Sequence, residues 1–110
     1  ATERRRQGAG TKAAEGVSSA DRRRAAAEQR RALQPLKKDI SSAEDAVERH
    51  TARIADLDQQ LADPSLYETA PAKATELHQA RADSVKALQK AEEQWLEYSS
   101  AYEEALASLD

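Results

Sequence analysis

The 110-residue chain has no cysteine, no methionine and no phenylalanine, and it holds only three glycines and three prolines. Without cysteine no disulfide framework is possible. Aromatic residues amount to 4%, one Trp and three Tyr, against 34% charged residues. That balance points to one elongated helical domain of modest stability, because few core side chains, each contributing roughly 1.5 to 3 kcal/mol when buried, must offset the ordering of long helices. No apolar run is long enough for a signal peptide or a membrane span, so a cytoplasmic protein without membrane contact is expected. There is also no glycine-rich phosphate loop, no metal-ligand cluster and no nucleophile beside a base. An enzyme active site is therefore not expected in this chain, nor a metal or cofactor site. A chain that begins at Ala1 and lacks Met reads as a piece of something longer.

What is present is a pair of heptad seams. The first runs Leu33, Leu36, Ile40, Ala43, Val47, His50, Ile54, Leu57, Leu61 in alternating steps of three and four. It continues for about four heptads, enough to specify a coiled coil. The second runs Leu77, Arg81, Ser84, Leu88, Ala91, Trp95, Tyr98, Tyr102, Ala105, Leu109. Between them Pro64 and Pro71 mark a turn. The expected fold is all-α, an antiparallel two-helix coiled-coil hairpin with a helix over about 21–62, a turn over 63–71 and a helix over about 72–109. Pairing apolar residue with apolar residue sets a register in which Leu57 meets Leu77, Val47 meets Leu88, Ile40 meets Trp95 and Leu33 meets Tyr102. Trp95 is then a core residue, and His50 shares a polar layer with Ser84. Arg81, on the seam, is expected either to reach the hairpin edge or to mark a local slip of register.

Charge is unevenly divided. Residues 1–31 carry nine Lys and Arg against four acids, and the remaining 79 residues come to −8. Residues 1–20 hold all three glycines and lack apolar periodicity, so they read as a flexible basic linker, with Asp21 placed to cap the first helix. Arg23 and Arg24, Arg30 and Arg31, and Lys37 and Lys38 occupy the e and f positions of three successive heptads. Glu44 and Asp45 end the series. If the helix continues across Pro35, these six side chains form a stripe roughly 22 Å long, matched to several phosphates of a nucleic-acid backbone. With Arg4, Arg5, Arg6 and Arg22 they make the candidate nucleic-acid-binding set. The alternative is a solvated face on an arm that serves protein interaction or dimerisation.

Three segments carry a resemblance to a known family. They are Arg30-Arg31-Ala32-Leu33-Gln34-Pro35-Leu36-Lys37-Lys38-Asp39-Ile40, Leu61-Ala62-Asp63-Pro64-Ser65-Leu66-Tyr67-Glu68 and Ala91-Glu92-Glu93-Gln94-Trp95-Leu96-Glu97. In this order they resemble the C-terminal coiled-coil domain of ABC-F ATPases, especially the Uup-like and YheS-like members, over roughly residues 22–105. The resemblance implies a cytoplasmic parent with two ATP-binding cassettes, ATP and magnesium bound by that parent alone, and action on the ribosome. For this chain it implies an accessory domain that binds DNA or ribosomal RNA as a monomeric hairpin, with Arg4–Arg6 and Arg22–Arg24 in a basic tether. It also implies a tip in which Asp63 caps a short helix begun by Pro64.

Overall fold

The computed structural model describes residues 18–109, and every element in that span is helical. The expected linker, with Arg4, Arg5, Arg6 and Lys12, lies outside the described residues except for 18–20. Four helices follow one another: α1 over residues 18–32, α2 (Gln34–Leu61), α3 (Pro64–Thr69) and α4 (Pro71–Ala107). Residues 18–20 are already helical and the Arg22 Nε donates to the Ser18 carbonyl at 3.3 Å, so Asp21 lies inside α1 and does not cap it.

Each of the three prolines stands in the first turn of a helix, where a missing N–H costs nothing and the fixed φ suits the helical path. At Pro35 the chain barely leaves the helix. Leu33 keeps right-handed helical angles, its N–H is shared between the carbonyls of Gln29 and Arg30, and Lys37 donates back to Leu33 at 3.0 Å. At Pro64 the expected cap is formed: Asp63 Oδ1 accepts from the Ser65 backbone N–H at 3.0 Å and from the Ser65 hydroxyl at 2.8 Å. Ala70, ahead of Pro71, takes non-helical angles as a residue before proline must, and this separates α3 from α4.

α2 and α4 pack against each other as the two arms of the hairpin, and α3 closes the tip. Their register lies one helical turn away from the apolar-to-apolar pairing. Asp58 contacts Arg81, Glu44 contacts Trp95 and Lys37 contacts Tyr102, and the residue numbers of each pair add to 139. The Tyr67 hydroxyl touches both the Leu61 carbonyl and His78, a pair with the same sum. Arg81, Trp95 and Tyr102 therefore stand level with Leu57, Ala43 and Leu36, the residues just before their partners. A seam read backwards reverses its order of steps, so a 3-4 spacing matches its antiparallel neighbour only when each a residue faces a d residue. The tip explains the displacement. The first turn of α4 lies against α3, where Ala74 is buried, so Leu77 comes level with Leu61 and not Leu57.

Two expectations change with the register. Trp95 is 37% exposed. It lies level with Ala43, which is only 3% exposed, and an alanine brings the helices too close for an indole to fit between them. The ring lies outward across the seam, with Nε1 donating to Glu44 Oε1 at 3.2 Å. His50 lies level with Leu88 and Ser84 with Ile54, so no hydrogen bond joins His50 to Ser84. His50 is half-buried, and no buried side-chain nitrogen or oxygen among the described residues lacks a partner. The buried positions are Leu33, Ala43, Leu57, Ala74, Leu77 and Ala91, with Leu57 at 0%.

Candidate nucleic-acid interface

The basic residues of α1 and the start of α2 share one exposed surface. Arg22, Arg23, Arg24, Arg30, Arg31, Lys37 and Lys38 are all exposed. The near-helical path through Leu33 keeps the pairs before Pro35 in phase with the pair after it. Proline removes one backbone bond, the one to the Arg31 carbonyl, without breaking the stripe. The six e and f residues form two parallel rows that follow the helix for roughly 22 Å.

The e row borders α4. Ser19, Arg22, Arg23, Ala26, Arg30 and Leu109 line a shallow groove beside the end of that helix, so three arginines converge on one depression. One heptad further on, Lys37 Nζ lies 5.8 Å from the centre of the Tyr102 ring, a cation–π contact that holds one ammonium at the seam's edge. The heptad pattern alone makes Lys37 a free cation and Tyr102 a seam residue. The signal for the contact is the e position of the lysine beside a tyrosine of the facing helix. Beyond Lys37 the same flank turns acidic, with Glu44 on Trp95 and Asp58 on Arg81.

The ion pairs among the described residues lie elsewhere. Arg53 pairs with Asp56 at 3.6 Å, Lys73 with Glu76 at 3.9 Å, and Arg81 with Asp58. Neither Arg22 nor any of the six basic residues of the stripe is in an ion pair within the described residues, so their charge is available to an outside anion. The Arg81–Asp58 pair spans the two long helices. Its side-chain hydrogen bond holds the Asp58 carboxyl below the usual carboxylate range, and the same bond raises Arg81. Arg81 thus reaches the hairpin edge as its seam position implied.

At the tip, Tyr67 is exposed and its O–H donates to the Leu61 carbonyl at 3.0 Å. His78 Nε2 lies 3.2 Å from the same hydroxyl oxygen. Since the single phenolic hydrogen goes to Leu61, the His78 Nε2–H is the donor of the second bond. Tyr67 therefore ties the end of α2 to α4. No group of His, Asp and Glu among the described residues is arranged to hold a metal ion. No described helix is long and apolar enough to cross a membrane.

A family model described as the ABC transporter C-terminal domain matches residues 26–100, from within α1, through both arms and the tip, to near the end of α4. No curated protein and no solved structure matches the chain.

Proposed function

Because the chain belongs to the ABC transporter C-terminal domain family, we propose that it is the nucleic-acid-binding coiled-coil hairpin of a cytoplasmic ABC-F ATPase, Uup-like or YheS-like, that acts on the ribosome. ATP and magnesium belong to the parent's cassettes. The chain's own contribution is binding, not catalysis. The observation that carries this reading is the concentration of seven exposed cations between Arg22 and Lys38, none in an ion pair within the described residues, while of the six cations further along the hairpin three, Arg53, Lys73 and Arg81, are paired with acids.

Phosphates meet the stripe and release condensed counterions, which favours binding at low salt. The two rows and the three-arginine groove suit a backbone track. The Tyr102 ring that borders the stripe is covered by Lys37 and Trp95 lies beyond the stripe on the acidic part of the flank, so the stripe itself offers no stacking platform and binding is expected to show little sequence preference. The hairpin supplies reach, since 37 residues of α4 span roughly 55 Å. The deciding experiment is affinity for duplex DNA, ribosomal RNA helices and transfer RNA, measured side by side at several salt concentrations. Binding that weakens linearly in log affinity against log salt supports the proposal. No binding to any of the three at low salt overturns it and favours the protein-interaction arm.

A further inference from the structure

We infer that the groove around Trp95 is a docking site for a cationic, arginine- or lysine-bearing segment of a partner protein. The groove lies between α2 and α4, just where the e flank of α2 changes from basic to acidic. Its lining is Glu44, Val47, Glu48, Glu92 and Trp95, around a volume of about 510 Å³. Val47 and the indole give it an apolar floor, and three carboxylates rim it.

Trp95 is central because of how its neighbours on the same flank are satisfied. At heptad spacing along α4, Tyr102 has a cation, Lys37, over its ring, and Arg81 has a carboxylate, Asp58. Trp95 has Glu44, which takes its N–H in the plane of the ring. That bond uses the edge of the indole and not its face, and the residue is 37% exposed and lines the groove. A cation entering the groove would gain the ring face and the carboxylates of Glu48 and Glu92 together, and Trp is the best of the aromatic side chains for this contact. Charge complementarity selects the occupant. A nucleic-acid backbone is repelled by three carboxylates, while an arginine side chain fits both a planar ring and a carboxylate. The site is therefore separate from the basic stripe, and its test does not depend on nucleic-acid binding.

Trp95 is the only tryptophan in the chain, so its emission reports on the groove. The experiment titrates the full chain with a nine-residue peptide of alternating Arg and Gly, with the corresponding Glu and Gly peptide as control. A saturable change in emission with the first peptide and none with the second is expected. Glu48→Gln with Glu92→Gln should weaken binding about three- to tenfold, the range for two exposed charge contacts. Glu68→Gln with Glu76→Gln, away from the groove, should leave it within about twofold by the same scale. Circular dichroism melts establish that both variants remain folded. The inference is overturned by absence of an emission change, by unchanged binding in the groove variant, or by equal losses in both variants. Two further outcomes assign the groove to another occupant and also overturn it. One is emission that shifts with protein concentration alone, which indicates a second copy. The other is emission of the free chain that shifts on replacing Arg4, Arg5 and Arg6 with Ser, which indicates the chain's own N-terminal segment.

Discussion

A cysteine pair decides the register, and the chain's lack of native cysteine makes the result clean. In the structure Leu61 comes level with Leu77, whereas Leu57 is four residues further along α2, an axial offset of about 6 Å. A disulfide needs Cα atoms roughly 4.4 to 6.8 Å apart. Facing seam positions satisfy that distance, but an added axial offset of 6 Å stretches the Leu57–Leu77 separation to on the order of 8 to 9 Å. Leu61→Cys with Leu77→Cys should therefore oxidise readily, and Leu57→Cys with Leu77→Cys should not. The loop closed across the tip is about 15 residues long, for which the loss of unfolded-state entropy corresponds to about 3 kcal/mol. Comparing oxidised with reduced forms of the same variant cancels the effect of removing the leucines. Urea denaturation followed at 222 nm should show that gain for the Leu61–Leu77 pair. Faster oxidation and a larger gain for the Leu57–Leu77 pair would refute the one-turn displacement and restore the apolar-to-apolar register.

Leu57→Ala empties the most buried position of the seam and should cost about 2 to 4 kcal/mol. Trp95→Ala should cost less, about 1 to 2 kcal/mol, because a ring on the surface leaves no cavity behind; a larger loss than for Leu57 in urea denaturation would return the indole to the core. Tyr67→Phe removes the hydroxyl that bonds Leu61 and His78, for about 0.5 to 1.5 kcal/mol, and nitrogen chemical shifts should show the His78 proton on Nε2 in the parent chain. The Asp58–Arg81 pair predicts a pH dependence of definite sign. Since Asp58 is held below its unfolded value, its stabilising contribution is complete above the ordinary Asp range and disappears as pH falls through the lowered folded value. The difference in melting temperature between the parent and Asp58→Asn should thus be constant near neutrality and vanish in acid, and a difference that grows in acid would contradict the pair.

The hairpin was legible because the heptad spacing of Leu33 to Leu61 and Leu77 to Leu109 states which faces meet. Asp63 and Pro64 stated how the tip helix begins. The register was not legible to the same degree. It depends on how α3 seats on the first turn of α4, and a pairing of like with like overlooks that antiparallel seams match a against d. The place of Trp95 follows from the same register: its level partner is the buried Ala43, next along the seam to the buried Ala91, and where two alanines let the helices approach closely the indole lies across the edge of the seam. The basic stripe was legible from the e and f spacing, and Pro35 left it in phase because Leu33 stays helical. The capture of Lys37 by Tyr102 was not read from sequence, since it depends on the register that the tip sets.

Binding of nucleic acid by the exposed basic stripe, proposed above, is tested by neutralising the stripe. Arg23, Arg24, Arg30, Arg31, Lys37 and Lys38 are changed together to Gln, with Lys86→Gln and Lys90→Gln on α4 as a control of the same kind. Affinity for DNA and RNA is then measured against salt, with circular dichroism to establish that the distal hairpin is intact. Weaker binding at moderate salt is expected, with a log affinity to log salt slope flattened by about 0.7 to 0.9 for each phosphate that the stripe no longer neutralises, and little effect of the control. A six-residue variant that binds as tightly as the parent with the same slope would contradict it.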